Sequence, residues 1–258
     1  MPKIGLKLWS TNQVYIQPAA ALYRESIFDY AELLVVPGSE REHLQQWRQV
    51  EFPLSLHAPY SALGFNFSLA SFENTNRLML EEVDSFRAAL NPTYIDFHSG
   101  AEGTLEETIR QIKLFKNEFK DLFEVTVIEN KPKIGLKGEM CVGASPEEIK
   151  KVLDETGLEF CLDFGHASCY ATWKKNEYED VINQFLRLRP KVFHLSDGKR
   201  ESVTDRHDHF GEGNFDLSFI LNVVPQDAML TIECRKNSKE NLDDFKKNVS
   251  FLRKFAPV

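Results

Sequence analysis

No apolar run in this chain of 258 residues approaches the roughly 20 that a bilayer-spanning helix needs, so no membrane partner is expected. The four cysteines, Cys141, Cys161, Cys169 and Cys234, contain no CxxC pair, which points to buried free thiols and away from disulfides or a thiolate metal site. Dense Lys/Arg clusters are also missing, and the formal charge of −8 offers a polyanion no long-range attraction. Nucleic-acid binding would need a local basic groove, although divalent cations at a site would offset several acidic charges. The opening MPKIGLKLWS lacks the apolar core and small-residue cleavage site of a signal peptide and reads as a first strand. A cytoplasmic location is the expectation. No long linker, low-complexity tract or 20–50-residue repeat breaks the chain, so 1–258 reads as one domain, with the oligomeric state left open.

What is present is an ordinary globular composition, 42% hydrophobic and 27% charged. Apolar runs alternate with amphipathic stretches from end to end, the pattern of a parallel sheet with crossover helices. Strands are expected over 3–8, 30–36, 53–57, 94–98, 125–129, 159–163, 191–195 and 229–233. Eight is the number that closes a barrel, so the fold class is α/β, a (β/α)8 TIM barrel. Thr104 to Glu107 (TLEE) predicts a capping box, followed by Leu105, Ile109, Ile112, Phe115 and Phe119 at helical spacing. Ser145-Pro146-Glu147-Glu148 starts another helix with proline at its first position. Leu242, Phe245, Val249 and Leu252 mark the inner face of the last helix. The longest polar loop is 199–216, with a short helix after it.

Six of the seven histidines follow short apolar runs, and acids stand at matching places in other runs. In order they are His57 (LSLHAPY), His98 (YIDFHSG), Glu129 (VTVIENKP), Asp163 and His166 (FCLDFGHA), His194 (VFHLSDG), Asp205, His207 and His209 (DRHDHFGEGN) and Glu233 (LTIECR). Singly, a histidine at a strand end is more often a hydrogen-bonded structural residue than a ligand. Collectively they converge, because all strand ends of a parallel barrel lie on one face. Burying unpaired carboxylates there costs several kcal/mol each unless cations compensate. Imidazole with carboxylate and no thiolate suits Zn²⁺, Mn²⁺ or a related divalent ion at the C-terminal face. His43, in EREHLQQW, is assigned to a solvated helix face. Lys131, Lys199, Arg200, Arg206 and Arg235 lie near the mouth, where each either binds an anionic or hydroxylated substrate or pairs with the acidic residues. Gly211 and Gly213 serve a tight loop turn. For His209, substrate contact, support of a ligand and alternative ligation all stay open.

From LHAPY to IECR the chain resembles the endonuclease IV and sugar isomerase/epimerase superfamily, the xylose isomerase-like barrels. The DRH…GEGN segment is the most specific match, with HAPY and DFGH beside it. In endonuclease IV nine residues at such positions hold three zinc ions. That resemblance implies one metal on His57, His98 and Glu129, with Glu129 bridging to a second on Asp163, His194 and Glu233, and a third on His166, Asp205 and His207. The epimerase branch keeps one metal on Glu129, Asp163, His194 and Glu233. There Glu129 and Glu233 would pass a proton at the carbon next to a carbonyl that the metal polarises, and His166 would contact a substrate hydroxyl.

Departures from the endonuclease pattern fall in its DNA-reading parts. IENKPKIGLKGEM stands where that family has a segment like ENTAGQG. LLVVPGSEREHL replaces an aromatic- and basic-rich loop, and HSG replaces HPG. Tyr60 is kept but equally serves packing. The expected function is therefore a divalent-metal-dependent isomerase or epimerase of a sugar or sugar phosphate, with one to three Zn or Mn ions, catalytic Glu129 and Glu233, and Lys131, His166, His209 and Arg235 at the carbohydrate substrate. The alternative is an endonuclease IV-like trinuclear-zinc phosphodiesterase, and a third class is a metal-bound barrel without turnover.

Overall fold

Strands in a parallel barrel are covered by helices outside and packed side chains inside, which is why these runs are apolar almost throughout. The computed structural model describes residues 1–255. Its strands are β1 Lys3–Trp9, β2 Tyr30–Leu34, β3 Leu54–His57, β4 Ile95–His98, β5 Thr126–Glu129, β6 Glu159–Asp163, β7 Val192–Leu195 and β8 Met229–Ile232. Each pairs in parallel with its neighbour in sequence, and β8 returns to β1, closing the expected (β/α)8 barrel. The helices are α1 Ile16–Arg24, α2 Glu40–Trp47, α3 Glu73–Leu90, α4 Leu105–Glu118, α5 Lys120–Glu124, α6 Pro146–Thr156, α7 Phe164–Lys174, α8 Tyr178–Leu186, α9 Leu217–Val223 and α10 Asp243–Leu252. None is long and apolar enough to cross a membrane.

The main apolar core lies between sheet and helices, where Leu33, Ile95, Phe97, Ile128, Leu162 and Phe193 meet Phe115, Ile149, Phe185 and Val249. Alternate strand residues face the barrel axis. Tyr30, Tyr94, Val127, Cys161 and Val192 form a second cluster there. Gly5 makes room for it, since a Cβ at that position would lie 2.5 Å from the Tyr30 ring.

Local signals behave as their chemistry requires, with three corrections. Ser145 forms a full capping box with Glu148, and Pro146 opens α6. Thr104 caps α4 by accepting from the Glu107 amide (3.1 Å), but the box is only half formed. The Glu107 carboxylate turns to Arg110 and Gln111 (2.7 and 2.8 Å), and the Thr104 amide donates to the Ser68 carbonyl (3.0 Å). The stripe expected to continue through Phe119 ends at Glu118, and Phe119 joins α4 to the short α5. His43 is half-buried on α2, not solvated, because Gln13 bonds its Nδ1. All four cysteines are free and buried.

Candidate metal centre

His57, His98, Glu129 and Asp163 end their strands, His194 is the third residue of β7, and Glu233 follows β8. His166 lies in the first turn of α7, where Asp163 caps the helix and accepts from the His166 amide (2.5 Å). Asp205 and His207 come from the loop after β7, with His207 held at φ 51°. The donor atoms of His57, His98 and Glu129 gather in one group, and those of His166, Asp205 and His207 in another. The remaining expected trio is only partly assembled. His194 meets Glu233 (3.1 Å) and Glu129 (3.6 Å), whereas Asp163 groups with Glu129 and His166.

Lone pairs show whether these groups suit a cation. A carbonyl oxygen only accepts, so a ring nitrogen bonded to one carries a proton, and the other nitrogen offers a free pair whenever the ring is neutral. His57 Nδ1 donates to the Ala58 carbonyl (2.6 Å), His166 Nδ1 to the Asn130 carbonyl (2.8 Å) and His207 Nδ1 to the Glu233 carbonyl (2.7 Å). His194 Nε2 bonds the Glu32 carboxylate (2.8 Å). The four nitrogens left over all face carboxylates. His57 Nε2 lies 3.5 Å from both Glu129 and Asp96, His166 Nε2 lies 3.6 Å from Asp205, and His207 Nε2 contacts Asp205. Ligand atoms around a tetrahedral ion with bonds near 2.0–2.1 Å stand roughly 3.3 Å apart. Glu129 Oε1, His194 Nδ1, Asp205 Oδ2 and both oxygens of Asp96 are buried without a hydrogen-bond partner. These residues fit divalent cations, and second partners that orient a ligating histidine are the usual companions of a metal site. His98 is the exception. Lys131 donates to its Nδ1 (3.1 Å), so its Nε2 carries the proton toward Glu129 (2.6 Å).

Three residues of this centre were not anticipated. Lys7 on β1 pairs with Glu233 (2.6 Å) and with Glu32, and Glu32 on β2 also accepts from Thr231 (2.8 Å) and Tyr94. Asp96 precedes His98 by two residues on β4. Only Asp96 carried a signal, standing two positions before the strand-end donor His98 and so pointing the same way, whereas the strands of Lys7 and Glu32 end in Trp9 and Leu34.

Charge in the centre is strongly perturbed. Burial works against ionisation of Glu233, but Lys7 and His194 bring it down to about 2. Burial likewise opposes the charged form of His166, yet Asp163 and Glu129 raise it to about 9, and Asp205 raises His207 to about 10 against the same penalty. Burial and the nearby Glu129, Asp205 and Glu233 carboxylates push Asp163 up to about 7, His166 opposing. Burial and the Lys131 ammonium hold His98 well below the ordinary histidine range.

At the centre opens a cavity of 590 Å³ whose lining includes Trp9, Tyr15, Tyr60, Pro132, Ile134 and Leu136. Lys7, Lys131, Lys137, Arg235 and Lys236 also line it. Arg235 is engaged by Asp208 and Glu212 (2.5 Å each). His209 is not brought to the cavity: Asn248 and Asn237 occupy its two ring nitrogens (2.9 and 2.8 Å).

A closed parallel barrel with imidazole and carboxylate donors converging at its mouth defines a (β/α)8 barrel with candidate metal-ligand clusters at one face. More narrowly, the chain belongs to the xylose isomerase-like TIM barrel family, whose model matches residues 22–255. It is similar to a probable endonuclease 4 of Clostridium botulinum, 23% identical over 227 residues that make up 83% of this chain and 80% of that protein. In structure it resembles the TTHB071 protein of Thermus thermophilus, described as soaked with ZnCl2 (TM-score 0.74, 20% identity, 98% of both chains). It also resembles a D-tagatose 3-epimerase-like protein (TM-score 0.70, 18% identity, 98% of this chain and 96% of that one).

Proposed function

We propose that the whole chain acts as one domain, a divalent-metal-dependent phosphoester hydrolase whose substrate is a small molecule. The observation that carries this reading is the His166–Asp205–His207 group. A one-metal proton transfer on the Glu129, Asp163, His194 and Glu233 quartet has no use for a further set of donors, of which His166 is buried and Asp205 and His207 are partly so. The preference drawn from sequence, isomerase before hydrolase, is therefore reversed.

Zinc or a similar ion would be held by His57, His98 and Glu129, by Asp163, His194 and Glu233 with Glu129 shared, and by His166, Asp205 and His207. Ligation by His98 requires Lys131 to release its Nδ1. When bound, such ions polarise a phosphoryl oxygen and make hydroxide available at neutral pH. The chain's own part is to grip and shield. Lys131 and Lys236 line the cavity and would meet an anionic substrate, Lys7 and Arg235 line it already paired with Glu32 and Glu233 and with Asp208 and Glu212, and Tyr60 and Pro132 add apolar surface. Pockets for small molecules run from about 300 to 1,000 Å³, and this cavity falls within that range, whereas a duplex needs an open groove. The curated relative's name, endonuclease 4, supports phosphoester chemistry. The net charge of −8 argues against steering toward DNA.

Zinc-loaded protein should hydrolyse small phosphodiesters such as bis(4-nitrophenyl) phosphate and leave a duplex containing an abasic site intact. Cleavage of the duplex in preference would move the substrate to nucleic acid; inertness toward every phosphoester would remove the reading.

A second reading, the sugar or sugar-phosphate isomerase, is favoured by one observation: Glu129 and Glu233 both approach His194 Nδ1, at 3.6 and 3.1 Å. Proton transfer between them predicts solvent deuterium entering the carbon next to a ketose carbonyl.

A further inference from the structure

We propose that Asp96 is itself a metal ligand, completing with His57, His98 and Glu129 a four-donor site that is closed to water. The inference rests on the metal-binding part of the reading above and holds for either reaction.

Asp96 is fully buried, and neither carboxylate oxygen has a hydrogen-bond partner. A buried carboxylate in that state is stable only if a cation lies beside it or if it keeps its proton and finds an acceptor. Its polar neighbours are the equally buried Glu129 carboxylate and two imidazole nitrogens. Oδ2 lies 3.5 Å from His57 Nε2, whose ring proton sits on Nδ1 toward the Ala58 carbonyl, and 3.9 Å from His194 Nδ1. At 3.5 Å the carboxylate oxygen and His57 Nε2 are too far apart for a good hydrogen bond even if Asp96 keeps its proton, whereas a shared cation fills the gap. The spacing is close to the roughly 3.3 Å edge of a tetrahedron of zinc ligands. His57, Asp96, His98 and Glu129 together place one donor atom each within 4.8 Å of all the others. Asp96 also approaches Cys161 and His194, but it is nearer to His57 and joins three further donors there.

Four protein donors fill a tetrahedral ion, as in structural zinc sites, whereas a site that activates water keeps a position open. The deep ion would fix Glu129 and supply charge. The three-donor group His166, Asp205 and His207, which lines the cavity together with His57 and His98, would keep a position open for exchange.

Full-length protein loaded with zinc, crystallised, and located by anomalous scattering provides the direct test. An ion with an Asp96 oxygen within about 2.2 Å is the expected result. An ion on His57 and Glu129 with the Asp96 carboxylate out of bonding range overturns the proposal and leaves the function intact; absence of any zinc overturns both. In parallel, zinc competition with a chromophoric chelator compares the wild type with Asp96→Asn and with the remote control Glu106→Gln. Asp96→Asn should weaken one zinc at least tenfold while Glu106→Gln changes none, and wild-type affinities throughout in Asp96→Asn would sink the idea. If that variant fails to fold, the anomalous map of the wild type decides alone.

Discussion

At the scale of single residues, the telling feature is how each imidazole is told which nitrogen to offer. Glu32 does this for His194 across the barrel, receiving its Nε2 proton at 2.8 Å and leaving Nδ1 toward Glu129 and Glu233. Burial opposes the charge on Glu32, but His194 and Lys7 hold its carboxyl well below the usual range, so it stays an acceptor. Glu32→Gln can present an amide N–H to His194 and reverse the tautomer. Zinc affinity should then fall about 10–100-fold, as for other partners of ligating histidines, with the barrel still folded. Competition titration checks this, and unchanged affinity would remove Glu32 from the centre. The strand-end donors were legible in the sequence because each stands where an apolar run stops. Lys7, Glu32 and Asp96 were not, because they lie inside such runs, where a charged residue looks like an interruption of the pattern.

At the scale of elements, the loop after β7 matters most, because it carries Asp205 and His207 to the mouth. Asp197 staples it. Its carboxylate accepts from the amides of Gly198 and Gly211 (2.8 Å each), Gly213 (3.0 Å) and Phe215 (3.3 Å). Gly211 supplies a turn at φ 92°, while Gly213 is needed for close approach: a Cβ there would stand 2.1 Å from Asp197 Oδ1. Both glycines are backbone devices, as their sequence context suggested, but for different reasons. Asp197→Ala orphans these donors and should cost roughly 2–4 kcal/mol in urea unfolding. The same variant should lose zinc from the His166, Asp205 and His207 group first. Retained stability and a full zinc complement would show the staple to be dispensable. Helix starts were readable where a side chain acts on its own backbone, as at Ser145. The Glu107 half of the other box was not, because Arg110 lies in reach of its carboxylate (2.7 Å) and competes for it.

At the scale of the whole molecule, metal and protons compete for the same donors, and this sets how stability responds to pH. Without metal, His166 and His207 have folded values of about 9 and 10, above the ordinary 6.5. A raised histidine contributes stability that is complete below about pH 6.5 and fades as pH climbs through 9 to 10. Metal binding runs the other way, since both rings must give up a proton to ligate. Chelator should therefore lower Tm, and the gap between zinc-loaded and chelated protein should widen from about pH 6 to about pH 9. Differential scanning fluorimetry measures it. A gap of constant size would mean that these two histidines do not ligate.

The order of strands, the closing number of eight and the row of ligand-type side chains at strand ends are all local or periodic properties, and the sequence alone determined them. Three things were decided only by the tertiary structure. One is which carboxylates share a site, since Asp163 turned toward His166 while Glu129 took a central place. Another is the burial of Lys7, Glu32 and Asp96 inside the barrel: a strand buried on both faces carries no polar contrast to say which side chains point inward. The last is the cavity, lined by Trp9, Tyr60 and residues between 131 and 139, which are far apart in the chain and share no local pattern.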